Sequence, residues 1–290
     1  MKIKYIDHKV QVHLKAKRCA QATMVELNPF FLHHFIFFFF FFFLHVSNSW
    51  FHTIAFARNA PNLTDDAHTL LQLKQELLSP SDSPLELTSS GWTSETISSV
   101  CSWTGVTCSN HGDNSTNVVS GLDFTNFNLN GTLTQTVCAL PNLTNLLLRF
   151  NNFTQPFPLF LLDLCPNLTY LDLSQNWFYG DLPTNISALT KLQYLSLEGN
   201  SFTGPIPADF GNLPDLTLLR LRGNTLEGTI PPELGNLSNL RKLDLAYAFP
   251  ETSSVYRVIP PELGNLTNLE SLDLAGSNFF GSIPSSLGAL

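Results

Sequence analysis

A repeated block of 24 residues constrains the fold of this chain more than any other feature. Three such blocks follow one another without a gap between residues 168 and 239, and they align leucine for leucine. Each begins with the pattern L-x-x-L-x-L-x-x-N. The first leucines are Leu168, Leu192 and Leu216, and the asparagines are Asn176, Asn200 and Asn224. Self-similarity at a fixed period of this length is typical of arrays in which each unit packs on its neighbours.

The order of side chains within one block explains the period. Leu171 and Leu173 alternate with Asp172, which predicts a short strand whose leucines face inward and whose aspartate faces solvent. Asn176 follows the strand, where its amide is expected to satisfy backbone groups of the turn and to form a ladder with the equivalent asparagines. One block cannot bury its own leucines, so stability must come from contacts between stacked units.

This pattern is that of the leucine-rich repeat, and it predicts an α/β repeat solenoid in the form of a right-handed arc. About seven units are expected over residues 118–290, the last of them incomplete at Leu290 and without a C-terminal cap. Ala248 stands in the asparagine place of its unit and is followed by an insertion, Phe249 to Val258, which is expected to weaken the array locally.

The first 57 residues differ from the rest in charge and hydropathy. They hold six lysines and arginines against two acidic residues, whereas the remainder holds 9 basic and 21 acidic residues. An unbroken phenylalanine run, Phe37 to Phe43, is followed by the motif Ala55-Phe56-Ala57. Residues 1–57 are therefore expected to form a leader and signal peptide for the secretory pathway, with an uncleaved signal anchor as the alternative. The acidic remainder disfavours nucleic acid as a partner.

Residues 58–117 have the composition of a cap on the first edge of the array, which a solenoid requires. Thr64, Asp65 and Asp66 offer capping oxygens to a helix that is expected to begin near Ala67. Apolar residues follow at helical spacing, and Ser79-Pro80 is expected to end the helix.

The cysteines fall into two groups. In a secreted chain, Cys101 and Cys108 are expected to form a disulfide that closes the cap loop. Cys138 and Cys165 lie within repeats, where buried thiols are the preferred interpretation and a second bridge is the alternative. No His/Cys cluster stands near Cys101 and Cys108 at zinc spacing, so no metal site is expected.

The chain beyond the leader carries nine N-x-S/T sequons, which support a secretory route and an extracellular location. Their asparagines are Asn62, Asn114, Asn130, Asn142, Asn152, Asn167, Asn185, Asn236 and Asn265.

Several motifs together resemble plant leucine-rich-repeat receptor-like kinases, in particular the HAESA and HAESA-like group. They are D-D-A-x-x-L-L-x-L-K at 65–74, C-S-W-x-G-V-x-C at 101–108, G-x-I-P at 204–207, 228–231 and 281–284, and the segments 165–176, 243–247 and 259–284. The resemblance implies a plant-specific solenoid whose concave side binds a secreted peptide, with a co-receptor kinase recruited and the signal passed through a cytoplasmic kinase. This chain has no kinase motif and a third of the repeats, so it is expected to be a truncated ectodomain that meets a co-receptor only in a full-length form.

Side chains between the inward leucines are the candidate ligand contacts, because they face the concave side and mix aromatic with charged groups. They are Arg149, Phe150, Tyr170, Asp172, Tyr194, Glu198, Arg220, Arg222, Asp244 and Tyr247. Arg220 and Arg222 point the same way on one strand and could hold a ligand carboxylate between them. Salt bridges to Glu198 or Asp244 are the alternative.

Catalysis finds no support in the sequence, and no cofactor is expected. All eight histidines precede the array, and no phosphate-binding loop is present. Two binding functions remain: the ligand-recognition module of a receptor-like kinase, or a freestanding secreted defence protein resembling polygalacturonase inhibitors.

Overall fold

The computed structural model describes residues 62–77, 91–111, 116–250, 255 and 257–289. The predicted leader (1–57), the predicted helix end at Ser79-Pro80 and the sequon at Asn114 lie outside these residues.

One sheet of eight strands runs through the described part of the chain, and its neighbouring strands are paired in chain order. The strands of this sheet are β1 (Val106–His111), β2 (Thr116–Asp123), β4 (Asn145–Leu147), β6 (Tyr170–Asp172), β8 (Tyr194–Ser196), β10 (Leu218–Arg220), β11 (Lys242–Asp244) and β12 (Ser271–Asp273). The first two form an antiparallel pair, and every later pairing is parallel. Seven parallel strands, one per unit, are thus stacked in sequence order.

Short elements on the other sides of the units complete each turn of the solenoid. Two small parallel sheets pair β3 (Asn130–Gly131) with β5 (Asn152–Phe153) and β7 (Tyr179–Asp181) with β9 (Ser201–Thr203). Opposite the main sheet lie the short helix α2 (Phe160–Leu164) and a series of 3₁₀ helices. The 3₁₀ helices are Gln135–Ala139, Ile186–Ala188, Ala208–Asn212, Pro232–Asn236, Pro261–Asn265 and Ser285–Ala289. The cap contributes the long helix α1 (Leu63–Leu77) and the 3₁₀ helix Ser94–Ser102.

The predicted inward side chains form one continuous core. Leu171 and Leu173 are fully buried, as are their counterparts in the neighbouring units. A column of phenylalanines runs beside them, with ring centroids 6.1 Å apart for Phe153 and Phe178 and 6.3 Å apart for Phe178 and Phe202. Each ring is covered by the ring of the next unit, so burial in one unit requires its neighbour.

The expected asparagine ladder is present and joins consecutive units. The Nδ2 group of Asn200 donates to the carbonyls of Leu197 and Glu198 in its own unit and to that of Leu173 in the unit before. Its Oδ1 accepts from the backbone N–H of Phe178, also in the unit before, at 3.0 Å. The same pattern recurs at Asn151, Asn176 and Asn224.

Ala248 interrupts the ladder, and the backbone takes over part of the role of the missing amide. The N–H of Leu226, whose counterparts donate to an asparagine Oδ1, donates instead to the carbonyl of Ala248 at 2.9 Å. In the next unit Ser277 occupies the asparagine place, and its hydroxyl reaches back to the carbonyl of Leu245 at 2.7 Å. The carbonyl of Leu221 therefore accepts a hydrogen bond from Asn224 of its own unit, but none from an asparagine of the next unit.

Two tryptophans fill the cap and cover the first unit. The rings of Trp92 and Trp103 stack with centroids 5.3 Å apart, and Trp92 lies 5.6 Å from Phe124 of the first repeat. Both indole N–H groups are satisfied, by the carbonyl of Thr104 and the hydroxyl of Thr96. The predicted Cys101–Cys108 disulfide is confirmed.

Helix α1 begins earlier than expected. It starts at Leu63, and Asn62 rather than residues 64–66 supplies the capping oxygen, which accepts from the N–H of Thr64 at 3.0 Å. Asp66 faces the core and is 3 % exposed. Its carboxylate accepts a hydrogen bond from the N–H of Val119 at 2.9 Å and so joins the cap helix to strand β2.

The interpretation of Cys138 and Cys165 as buried thiols is wrong, because the two form a disulfide. Cys138 lies in the 3₁₀ helix of one unit and Cys165 follows helix α2 of the next. Stacking of the two units brings these segments together, which their separation of 27 residues in the chain does not reveal.

The ladder generates a first prediction. Asn200→Ala should lower the free energy of unfolding by about 2 kcal/mol, because the buried N–H of Phe178 loses its acceptor and three carbonyls each lose one of their hydrogen-bond donors. Asn200→Asp should lose as much at neutral pH, since it keeps the acceptor but turns a carboxylate oxygen toward those carbonyls. Urea titration followed by circular dichroism measures both. Wild-type stability of the aspartate variant would contradict this account of the ladder.

Asp66, the buried carboxylate of the cap, generates a second prediction. Desolvation raises the pKa of Asp66 more than the hydrogen bond from Val119 lowers it. The ionised form is thus disfavoured in the folded chain, and the stability that Asp66 contributes below its unfolded pKa is lost as the pH rises through its folded pKa. Asp66→Asn should therefore stabilise the protein at pH 7, with an advantage that shrinks on acidification.

Asp66→Ala serves as the comparison, because it leaves the Val119 N–H without an acceptor and should cost about 1–3 kcal/mol at low pH, with a smaller cost as the pH rises and wild type loses the contribution of Asp66. Thermal unfolding of the three proteins between pH 3 and pH 8 checks both expectations. An asparagine variant less stable than wild type at pH 7 would contradict the assignment of desolvation as the larger effect.

The second disulfide generates a third prediction. Replacing Cys138 and Cys165 together by alanine should lower the free energy of unfolding by about 2–4 kcal/mol, because the bridge restricts the unfolded chain. Peptide mapping of the unreduced wild-type protein should recover the two cysteines in one linked species. Alkylation of both without prior reduction would show that the bridge does not form.

Candidate ligand-binding face

The outward side chains of the stacked strands form columns across the main sheet. Strand register aligns the first residues of the strands into one column and the third residues into another. The first column holds Asn145, Tyr170, Tyr194, Leu218, Lys242 and Ser271, and the third-residue column holds Leu147, Asp172, Ser196, Arg220, Asp244 and Asp273. Nine of the ten predicted contact residues are at least partly exposed, and Asp172 is the exception.

Two tyrosines and an arginine form a connected group of side chains on this face. The rings of Tyr170 and Tyr194 lie parallel with centroids 3.8 Å apart. Arg220 donates from Nη1 to the hydroxyl of Tyr194 at 3.1 Å. Burial and the adjacent phenol of Tyr194 raise the pKa of Tyr170, so the hydroxyl of Tyr170 stays neutral at physiological pH. The trio offers a flat aromatic surface next to a fixed positive charge.

Arg222 does not pair with the partners that were expected. Its Nη1 lies 3.4 Å from Oδ2 of Asp273, two units away, rather than against Glu198 or Asp244. Its guanidinium also lies 5.2 Å from the ring centroid of Tyr247. Both members of the ion pair keep more than a third of their side-chain surface exposed, so water screens the attraction and a ligand carboxylate can compete for Arg222.

The expectation that Asp172 faces solvent is wrong, because its side chain is 4 % exposed. Oδ1 accepts hydrogen bonds from both the N–H and the hydroxyl of Ser174, which closes the turn after the strand. Asp244 and Asp273 accept from the N–H two residues ahead in the same way, but stay partly exposed. The aspartates of the L-D-L pattern thus support the turn, and Asp172 is withdrawn from the accessible surface.

Phe150 and Tyr247 lie at the margin of the face, at the position just before the asparagine place. Both have a left-handed backbone, with φ of 56° and 52°, and their side chains are 47 % and 51 % exposed. Arg149 packs its guanidinium 4.5 Å from the centroid of Phe150. The repeat pattern predicts both residues among the strand positions, but they lie in the turns that follow strands β4 and β11.

None of the described sequons lies on a strand of the main sheet. Asn185, Asn236 and Asn265 are exposed at 3₁₀ helices on the opposite side, and Asn62 and Asn152 are also exposed. Asn142 differs, because its Nδ2 atom is buried and has no hydrogen-bond partner among the described residues. The strand face would stay free of glycans whichever of these sites were used.

Two further observations concern the whole of the described chain. It holds no cluster of His, Cys, Asp and Glu able to bind a metal ion. Within the same residues, no helix combines the length and the apolar content needed to cross a bilayer.

The cap and the repeats are both similar to those of known proteins. Residues 63–109 match the leucine rich repeat N-terminal domain, and residues 159–290 match the leucine-rich repeat region. A BIR3–SERK2 complex from Arabidopsis thaliana contains a chain that is 34 % identical, with 88 % of that chain and 59 % of the present one covered and a TM-score of 0.52. The chain belongs to the leucine-rich-repeat ectodomains of plant receptor-like kinases. Its described part is a repeat ectodomain region without a catalytic domain.

Larger members of the family are also similar. The ectodomain of the Arabidopsis receptor kinase HAESA, solved with an IDA peptide hormone, is 38 % identical with a TM-score of 0.67, over 78 % of this chain and 36 % of that one. The receptor-like kinase GSO2 of Arabidopsis thaliana is 32 % identical over 134 residues, which are 46 % of this chain and 10 % of GSO2. The present chain therefore spans about a third of the HAESA ectodomain and a tenth of GSO2.

Proposed function

We propose that this chain recognises an extracellular peptide or protein ligand on the outward face of its main sheet, as the ligand-recognition region of a plant receptor-like kinase. The observation that carries the proposal is the similarity to the HAESA ectodomain, which was solved with the peptide hormone IDA. PEPR1 with AtPEP1 and RGFR1 with RGF2 are further similar receptor structures that contain a peptide.

The chemistry of the face supports a peptide as the ligand. The Tyr170–Tyr194 stack presents a rigid aromatic surface, which buries apolar area at little cost in side-chain entropy. Arg220 lies beside it, held by the Tyr194 hydroxyl, and Arg222 is held by an exposed ion pair and by the ring of Tyr247. An extended peptide could place an apolar side chain on the tyrosines and a carboxylate against the arginines.

The location and partners follow from the same proposal. The chain enters the secretory pathway and faces the cell exterior, where its cap disulfide and its Cys138–Cys165 bridge are stable. HAESA was also solved with the co-receptor SERK1, and a co-receptor kinase is the corresponding proposed partner for a full-length form of this protein. No cofactor takes part.

Isothermal titration of the purified chain with synthetic IDA, RGF2 and AtPEP1 peptides tests the proposal. At least one peptide should give saturable binding that Tyr194→Ala weakens by about tenfold or more, because the central aromatic contact is lost. Tyr194→Phe keeps the stack and removes only the acceptor for Arg220, so it should retain most of the affinity. Asp215→Ala, at an exposed position on the turn before β10, should bind as wild type does.

Two outcomes would overturn the proposal. One is binding that Tyr194→Ala and Asp215→Ala affect equally, which would place the ligand away from the strand face. The other is no peptide binding together with inhibition of a secreted fungal polygalacturonase in a hydrolysis assay. That result would select the freestanding defence protein instead.

A further inference from the structure

A groove lies beside the main sheet, on the side where the chain leaves the strands. Its floor is formed by the buried ladder asparagines Asn151, Asn176 and Asn200, and its volume is about 470 Å³. One wall holds the residues just before the ladder position, including Asn126, Phe150 and Gln175, and the other holds those just after it, including Asn128, Asn152 and Trp177. We call this feature the amide groove.

The walls offer free hydrogen-bonding groups, whereas the floor does not. The floor amides are used by the backbone of neighbouring units. In contrast, the side chains of Asn126 and Gln175 have no hydrogen-bond partner among the described residues, and the Oδ1 atom of Asn152 is also unused. A carboxamide presents a donor and an acceptor side by side, which matches a pair of neighbouring hydroxyl groups on a ligand.

Aromatic surface completes the groove, and formal charge is absent from it. Trp177 is 60 % exposed and Phe150 is 47 % exposed, unusually open positions for large apolar side chains in a chain with a continuous core. None of the eleven lining residues is charged. A neutral ligand with many hydroxyls and an apolar C–H face fits such walls, because its hydroxyls pair with the amides and its C–H face stacks on the indole. Saccharides have this chemistry.

The chain itself carries a glycosylation sequon at this place. Asn152 belongs to the sequon Asn152-Phe153-Thr154, is exposed, and stands in the groove wall. It occupies the same position in its unit as Trp177 does in the next, so the two side chains are neighbours along one wall. A glycan linked to Asn152 would be held at the groove at an effective concentration on the order of millimolar.

We propose that the amide groove binds a neutral saccharide, and that the saccharide is the N-linked glycan of Asn152. In the linking step Nδ2 of Asn152 forms a bond to C1 of a lipid-diphosphate-linked oligosaccharide in the secretory pathway. The bond from C1 to the diphosphate oxygen breaks, the diphosphate leaves with the electron pair, and the nitrogen loses one proton. The remaining N–H can still donate to Oδ1 of Asn128, as it does at 3.0 Å in this structure.

A double-mutant cycle on the full chain, secreted from plant cells, tests the inference. Mass spectrometry of glycopeptides should show Asn152 occupied. Thr154→Ala removes the sequon and should lower the melting temperature by about 2–4 °C. Trp177→Ala should lower it by a similar amount, and the Thr154→Ala/Trp177→Ala double mutant should be no less stable than either single mutant. Thr154→Ser keeps the sequon and should melt as wild type does.

A second sequon provides the matched control. Asn236 is exposed on the 3₁₀ helix Pro232–Asn236, away from the amide groove, and its sequon ends at Ser238. Ser238→Ala should therefore remove that glycan without changing the melting temperature. An equal effect of Thr154→Ala and Ser238→Ala would overturn the inference, because it would show a general effect of glycosylation rather than binding in the groove.

Titration of the Thr154→Ala variant with the free core oligosaccharide of N-glycans separates the two sources of saccharide. Weak binding that Trp177→Ala abolishes, together with an occupied Asn152 in wild type, supports the inference. The same binding with Asn152 unoccupied overturns the assignment of the attached glycan and leaves an external saccharide as the ligand. Absence of both binding and occupancy overturns the groove as a saccharide site.

Discussion

Each ladder asparagine joins its unit to the preceding one through the two polar atoms of a single amide, and the rest of the array depends on this bond pattern. The Oδ1 atom of Asn200 accepts a hydrogen bond from the backbone N–H of Phe178, and its Nδ2 atom donates to the carbonyl of Leu173. Both partners belong to the preceding unit. These contacts keep consecutive units at one spacing. At that spacing the strands pair in register and the rings of Phe178 and Phe202 stack.

The unit at Ala248 shows what happens when the amide is missing. The backbone carbonyl of Ala248 accepts the N–H of Leu226, which an asparagine Oδ1 atom would accept in the other units. The insertion that follows brings Arg257 into the interior, where it is fully buried. Arg257 donates from Nε to the carbonyl of Gly228, and its guanidinium lies 4.6 Å from the ring centroid of Phe249. Burial lowers the pKa of this arginine. The array continues past the gap because strand pairing between β10, β11 and β12 is unbroken.

Features that recur in every unit could be predicted from the sequence, whereas contacts peculiar to one pair of units could not. The alternation around Leu171 and the recurrence of the asparagines indicated the strands, the core and the ladder, because each depends on local periodicity. The Cys138–Cys165 bridge and the Arg222–Asp273 pair depend on which side chains meet across stacked units. Asp172 was misjudged for a different reason, because alternation predicts the face of the sheet but not a side chain folded onto its own turn.

The ladder also allows the two proposed ligand sites to lie beside it without loss of the fold. Its asparagines are buried and committed to the backbone, so the units on either side of each amide are fixed while the flanking positions carry side chains of many kinds. On one side of the ladder these positions end the strand face with its tyrosines and arginines. On the other they form the wall that holds Asn152 and Trp177. Because both surfaces are attached to the same rigid row of hydrogen bonds, the proposed peptide and saccharide sites are neighbouring surfaces that share Phe150 at their common edge.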